Sequence, residues 1–409
     1  MTKPIILKEY EPSEPISLED IDIDFIQTHL KNIISLEIKS HPKYIIHTSQ
    51  NVGSIKFPSG NYEIRINPKV DTINFFKMLY TAKMIPEQIH DMVLKATPGK
   101  TLIDLLANLF INATKNIIST GLYRNYIVLE EQSVSIRGKL LIAKNIRSST
   151  ITLTKPWCQF DELSFDGIEN RSILFCTHIL LGIVSDDELK KSLVTIRNIF
   201  LNQGINLVPI ASYDLETISL QRLNKHYENI VELCKFILYW RWYQDFNDNK
   251  IPIPAFFIDM NILFEKFVYE TLKQNLKGFS VSFQEKNPNV LEKIENYDDD
   301  QKSVRIPPIK PDIILRKNNK KLVIDTKYKR NAKDSGDFYQ ATIYSLVHNC
   351  DTLLLFPEMD RELSDGFEIQ KIEEVSKKKI HVKTIKFTDS EDFIPNITKQ
   401  ILDVVNSIF

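Results

Sequence analysis

Two aspartates and a lysine in residues 311–329, PDIILRKNNKKLVIDTKYK, have the types and spacing to hold a divalent cation and to manage a proton. Asp325 and Lys327 stand two positions apart in an apolar run, and strand side chains repeat every two residues, so both share a face with Val323. Asn318-Asn319 reads as the two-residue turn of a hairpin, which brings Asp312 opposite Asp325. Their Cβ atoms would then be about 4.5–5.5 Å apart, and like charges facing each other across two strands are destabilising. A divalent cation held by both carboxylates removes that repulsion, and carboxylate oxygens suit Mg2+ or Mn2+. The alternative for the same residues is a surface hairpin in which Asp325 pairs with Lys327 or Lys329.

Other elements must position these groups. DMNILFEKFVYETLKQNL predicts an amphipathic helix with Met260, Leu263, Phe264, Phe267 and Val268 as its apolar stripe and Asp259 as N-cap. Glu265 lies at the edge of that stripe, where it can join the aspartates or remain an ordinary surface glutamate. A later helix carries Gln340 and Tyr344 at i, i+4, hence on one face. Residues 310–333 hold nine basic side chains (Lys310, Arg316, Lys317, Lys320, Lys321, Lys327, Lys329, Arg330, Lys333) and two acidic ones, a local excess of +7. That is either a nucleic-acid footprint or a solvated hairpin.

Pro311-Asp312 with Asp325-Thr326-Lys327 resembles the signature of the PD-(D/E)xK nuclease superfamily. Taken in order, DMNILFEKFV, PDIILRKNNKKLVIDTKYK and DFYQATIYS resemble the McrC family, the nuclease subunits of GTP-dependent McrBC restriction systems. VGSIKFPSGNYEIRINPKV and SIRGKLLIAKNI resemble segments of the same family, so the likeness covers most of the chain, and the lysine-rich tail beyond about 358 adds little to it. The resemblance implies that Asp312 and Asp325 ligate Mg2+ or Mn2+ together with the Thr326 carbonyl. It implies that Lys327 positions or activates the attacking water, that Glu265 is the helical acid of the superfamily and that Gln340 is an accessory site residue. A separate AAA+ GTPase of McrB type, a hexameric ring that binds GTP itself, is implied as partner, and double-stranded DNA as substrate. The N-terminal domain would dock into that ring and stimulate its GTP hydrolysis. Arg137 and Lys139 in IRGKL are candidates for ring contacts, or else solvated turn residues.

Periodicity predicts an α+β multidomain chain in three parts. Residues 1–155 form a β-rich N-terminal, ring-docking domain with helices, residues 156–250 a helical connecting section, and residues 251–409 a PD-(D/E)xK α/β endonuclease core. Within the first part, KYIIHTSQNVGSIKFPSGNYEIRINPKV alternates around the turn Pro58-Ser59-Gly60-Asn61, TLIDLLANLFINATKNI has helical period, and NYIVLEEQSVSIRGKLLIAKNI returns to strands. The middle section contains NRSILFCTHILLGIV and HYENIVELCKFILYWRWYQDF, whose aromatics Phe236, Tyr239, Trp240, Trp242 and Tyr243 are expected to pack a core, with a base-stacking surface as the lesser option. NDNKIPIPAF marks the boundary to the third part, and EKNPNVLEKIENYDDDQKS reads as a polar loop or insertion.

Composition narrows the class. The chain has 409 residues, 43% hydrophobic and 26% charged with 11 glycines, which excludes fibrous and disordered readings. A formal net charge of -1 means that any nucleic-acid contact rests on local patches. Cys158, Cys176, Cys234 and Cys350 form no C-x-x-C pair, so neither a zinc site nor a disulfide framework is expected, and reduced cysteines fit a cytoplasmic protein. No stretch approaches the about 18 apolar residues of a membrane helix. Gly99-Lys100-Thr101 ends like a P-loop, but the pattern requires glycine where Leu94 stands, so this chain is not expected to bind nucleotide. There is no H-E-x-x-H, and the eight histidines do not cluster.

The reading that results is a Mg2+-dependent DNA endonuclease subunit of a modification-dependent restriction complex. Its rivals are a self-sufficient PD-(D/E)xK nuclease of repair or recombination and a non-catalytic adaptor of a ring NTPase. The intact Asp312, Asp325 and Lys327 argue against the adaptor, and the long first half without a nuclease motif argues against the lone nuclease.

Overall fold

The structure, a computed structural model, describes residues 2–40, 42–85, 102–147, 155–240, 255–286, 309–329, 334–358, 364–368, 377–388, 390 and 392–409. In chain order, the first stretch forms β1 (Lys3–Lys8), β2 (Ile16–Ser17), α1 (Asp20–His29), β3 (Ile34–Ser40), β4 (Lys43–Thr48), β5 (Asn51–Lys56), β6 (Tyr62–Asn67) and α2 (Thr72–Thr81). Next come α3 (Leu102–Thr120), β7 (Asn125–Gln132), β8 (Lys139–Leu140), α4 (Ile142–Arg147), β9 (Trp157–Ser164), α5 (Ile168–Ile183), α6 (Asp187–Asn202) and α7 (Glu228–Trp240). The last stretch forms β10 (Ala255–Asp259), α8 (Met260–Asn275), β11 (Ser280–Phe283), β12 (Ile313–Lys317), β13 (Lys320–Thr326), α9 (Ser335–His348), β14 (Asp351–Pro357), β15 (Ser364–Glu368), β16 (Lys379–Ile385) and α10 (Phe393–Ile408). The fold is thus mixed α/β.

These elements divide into two compact units, one of residues 1–99 with 257–409 and one of residues 100–256. The partition differs from the three consecutive parts expected with boundaries near 155 and 250, because the first hundred residues group with the last third of the chain. Their strands share a sheet with a strand of that last third, in the order β1-β6-β5-β10, and the Met260 amide donates to the Gln50 carbonyl at 3.2 Å. Sequence proximity does not reveal that pairing.

The first unit also contains a small sheet β2-β4-β3 and a six-stranded mixed sheet in the order β11-β12-β13-β14-β16-β15. β12 and β13 pair antiparallel from Ile313↔Ile324 to Lys317↔Lys320, the register expected from the Asn-Asn turn. Asn318 and Asn319 both take positive φ, 44° and 62°, as a two-residue hairpin turn requires and as asparagine tolerates. β13 continues parallel to β14, and β14 to β16. Val323, Ile314, Leu354 and Phe356 pack on one face of this sheet with Ala341 and Tyr344 of α9. α8 begins at its expected N-cap, where Asp259 Oδ1 accepts from the Asn261 amide at 2.8 Å, and buries Met260, Leu263, Phe264, Phe267 and Val268 completely. Each such side chain contributes roughly 1.5–3 kcal/mol of burial.

In the second unit, α3, α5, α6 and α7 pack on one another, and β7, β9 and β8 form a three-stranded sheet. Two expectations change here: IAKNIR is helical, not extended, and β9 lies at the start of the section read as all-helical. Phe236 is buried in the core as expected, whereas Tyr239 is 57% exposed at the end of α7. The Trp240 side chain, Trp242, Tyr243, the NDNKIP boundary, residues 99–101 and most of the EKNPNVLEKIENYDDDQKS segment lie outside the described residues. All four cysteines are free and buried. Among the described residues no helix is long and apolar enough to cross a membrane.

Candidate functional site

The end of β13 and the residues around it bring Asp312, Asp325, Thr326, Lys327, Gln340 and Glu265 into one electrostatic cluster. Strand alternation sends Asp325 and Lys327 to the face covered by α9, and Lys327 Nζ lies 2.7 Å from Asp325 Oδ2. Asp325 is fully buried, and its Oδ1 has no hydrogen-bond partner. A buried carboxylate oxygen without a donor is costly, and an external partner such as a cation would relieve that cost.

Asp312 lies one residue before the start of the β12 ladder. Its Oδ2 accepts from the Thr326 amide at 2.7 Å and from Thr326 Oγ1 at 2.9 Å. Those two donors partly offset the repulsion between the facing carboxylates, so a cation is not the sole compensation. This role of the Thr326 side chain and amide was not read from the sequence, although the hairpin register places Thr326 one step from Asp325.

Lys327 Nζ also donates to Gln340 Oε1 at 3.0 Å. Gln340 Nε2 in turn donates to Tyr344 Oη at 2.7 Å, and Tyr344 Oη donates to the Lys310 carbonyl at 3.2 Å. The i, i+4 spacing of Gln340 and Tyr344 is therefore used as a relay that orients the amide toward the lysine. Glu265 joins from α8: its Oε1 accepts from Gln284 Nε2 at 2.6 Å, while the Gln284 amide donates to the Asp312 carbonyl at 2.8 Å. No spacing in the sequence points to Gln284, since the link depends on the fold of β11 beside β12.

Electrostatics reflect the crowding. Burial pushes the Asp325 carboxyl up to about 7, and the charge of Asp312 adds to the shift against the pull of Lys327. Glu265 is likewise pushed up to about 7 by burial, with Asp312 again adding. Burial raises Asp312 above the ordinary carboxylate range despite the Thr326 hydrogen bonds. Burial works most strongly against the Lys327 ammonium, but the charge and hydrogen bond of Asp325 together with the charges of Asp312 and Asp337 outweigh it and raise its pKa. Three carboxyl groups that resist ionising together are a set that a bound cation would relieve.

The basic patch is less free than its count suggests. Arg316 Nη2 donates to both carboxylate oxygens of Glu285 at 2.8 and 2.9 Å, and Lys329 contacts Asp334 at 3.2 Å and the buried Asp337 at 2.5 Å. Lys310 is exposed beside the site, while Arg330 and Lys333 lie outside the described residues. Among the described residues, no group of three or more His, Cys, Asp or Glu is arranged as a ready metal cage. Any metal-binding chemistry here would rest on the aspartate pair. Two hard oxygen donors, one ammonium and a neutral amide can hold a divalent cation, orient a water and neutralise charge on a phosphoryl group.

A family model described as "McrBC 5-methylcytosine restriction system component" matches residues 46–357. The chain is similar to the type IV methyl-directed restriction enzyme EcoKMcrBC of Escherichia coli (strain K12), with 23% identity over 329 residues that cover 74% of this chain and 90% of that protein. It is also similar to a chain of the refined half-complex from the tetradecameric assembly of Thermococcus gammatolerans McrB AAA+ hexamers with bound McrC. That match has a TM-score of 0.64 at 19% identity and covers 98% of this chain and all of that one, which shows a shared fold.

Proposed function

The chain belongs to the family of McrBC 5-methylcytosine restriction system components, and on that premise we propose that it is the Mg2+-dependent DNA endonuclease subunit of a GTP-dependent, modification-dependent restriction complex. The observation that carries this reading is the convergence of Asp312, Asp325 and Lys327, with a buried Asp325 oxygen that has no partner within the protein. Asp312 and Asp325, with the Thr326 carbonyl, are the residues that would hold Mg2+ or Mn2+. When bound, such an ion polarises the scissile phosphate and lowers the pKa of an attacking water.

The remaining roles fall to the side chains in place. Lys327 supplies a fixed positive charge near the developing charge on phosphorus and can orient the water, and Gln340 holds its ammonium in line. Glu265, held by Gln284, is the helical acid beside Asp312. This arrangement fits the PD-(D/E)xK core expected for residues 251–409, whose six-stranded sheet holds the site, while β10 of the same segment joins strands of residues 1–99 in a separate sheet.

Hydrolysis of GTP is assigned to a partner, an AAA+ ring of McrB type, as in the Thermococcus assembly of McrB hexamers with bound McrC. The family description names a 5-methylcytosine restriction system, and double-stranded DNA bearing that base is the substrate class this reading assigns. The second unit offers exposed basic groups for ring contact: Arg137, whose guanidinium lies 5.7 Å from the Phe160 ring centre, and Lys139 beside it.

Purified full-length protein with its ring partner, GTP and Mg2+ should cut methylated plasmid, and Asp325→Ala should abolish cutting while its far-UV circular dichroism is retained. Undiminished cleavage by Asp325→Ala ends the nuclease assignment. Efficient cleavage by the wild-type chain without partner and GTP replaces the restriction-subunit reading with a self-sufficient nuclease.

A further inference from the structure

Glu9 and Tyr10 meet Tyr328 next to the candidate site, although 319 and 318 positions separate them along the chain. Tyr328, the residue after Lys327, is 2% exposed, and its Oη donates to Glu9 Oε1 at 2.7 Å. Its carbonyl accepts from Tyr10 Oη at 2.5 Å. Its amide donates to Asn261 Oδ1 at 3.2 Å, and its ring meets Phe264 edge-on with centres 6.0 Å apart. All polar groups of this residue are thereby tied down, two of them by the N-terminal segment.

Glu9 is itself fully buried, and its Oε1 also accepts from the Lys69 amide at 2.8 Å, while Oε2 has no partner. Tyr10 takes φ of 58°, a left-handed conformation that costs a residue with Cβ roughly 1–2 kcal/mol. Such strain persists where the surroundings over-determine it, and here it aims the Tyr10 hydroxyl at the Tyr328 carbonyl. The sheet ladder can no longer do that work: β13 ends at Thr326, and the bond from the Lys327 amide to the Leu355 carbonyl, at 2.9 Å, is the last main-chain tie of this strand among the described residues.

Given the hydrolytic role assigned to Lys327 above, we infer that Glu9 and Tyr10 are positioning residues of the site, which lock the backbone at Tyr328 and thereby fix where the Lys327 ammonium stands between Asp325 and Gln340. The first ten residues of the chain are then a working part of the catalytic centre. Their effect passes through backbone placement, so it reaches turnover and leaves the binding of DNA and of the cation largely alone.

The test uses the full-length chain with ring partner, GTP, Mg2+ and methylated plasmid. Tyr10→Phe keeps the ring and removes only the donor to the Tyr328 carbonyl. Its kcat should fall about 10- to 100-fold, the scale of a misplaced catalytic group, with KM for DNA and Mn2+ affinity within about 2-fold of wild type. Glu9→Ala should lose a similar factor, and Glu9→Gln, which keeps an acceptor for Tyr328, should restore most of it. An unchanged kcat in Tyr10→Phe, or a loss matched by equal loss of Mn2+ affinity and of melting temperature, overturns the positioning role. Asp325→Ala in the same assay separates the two readings: an inactive Asp325→Ala beside a fully active Tyr10→Phe removes only the positioning role, whereas an active Asp325→Ala removes the nuclease reading beneath it.

Discussion

Gln340 Oε1 accepts a hydrogen bond from Lys327 Nζ at 3.0 Å, and the lysine reaches it without leaving Asp325 Oδ2, 2.7 Å away. The far side of the same amide donates to Tyr344 Oη, so its orientation is set by two neighbours. A partly buried ammonium held by one carboxylate and one neutral oxygen keeps its charge and its direction together.

Gln340→Ala should therefore leave Lys327 charged but less well aimed. Cleavage kcat should drop on the order of 10-fold, with little change in DNA binding or Mn2+ titration. Equal activity of Gln340→Ala and wild type in single-turnover cleavage would show that Asp325 alone suffices to hold the lysine.

A fragment of residues 250–409 should not form a stable metal site. It loses β1, β5 and β6 beside β10, the packing of α2 on α8 and α10, and the Glu9 and Tyr10 contacts to Tyr328. Buried polar groups left without partners cost about 1–3 kcal/mol each, a large share of typical domain stability. Circular dichroism melting of the fragment should lack a cooperative transition, whereas a sharp melt with Mn2+ binding intact would show that the nuclease core folds without the first hundred residues.

Stability of the second unit should depend on acid pH through Asp166. Burial favours its protonated form, but bonds from Arg171 at 2.8 and 2.6 Å and from the Asn206 amide and side chain at 2.8 and 2.7 Å outweigh burial and hold its carboxyl below the usual range. A pKa depressed in the folded state contributes stability above the unfolded value of about 3.9 and loses it as pH falls through the folded value. Asp166→Asn should cost roughly 1–3 kcal/mol in urea unfolding at pH 7, and the gap from wild type should narrow as pH falls below the unfolded value of about 3.9. A gap that is constant with pH would mean that the carboxylate charge contributes nothing.

Much of the site was legible because its parts are close in sequence and obey backbone periodicity. Asn318-Asn319 and period-two alternation are enough to set the β12–β13 register and to put Lys327 beside Asp325. The stripe and N-cap of α8 and the Gln340–Tyr344 spacing likewise follow from helix geometry over a few turns. Local backbone dihedrals repeat with fixed periods, and a short segment carries that information complete.

Other features rest on closure of long loops and on packing, for which no local pattern exists. Asp334 and Asp337 neutralise Lys329 only once α9 is folded against the end of β13, and Glu285 reaches Arg316 from just past the end of the neighbouring strand β11. Gln284 holds Glu265 because β11 lies at the edge of the sheet. Above all, Glu9 and Tyr10 reach Tyr328 across more than three hundred residues. The sequence by itself determined which side chains could do the chemistry and which face of a strand or helix each would take. Tertiary structure decided which of them meet, because burial selects partners by shape and unsatisfied polarity, and not by distance along the chain.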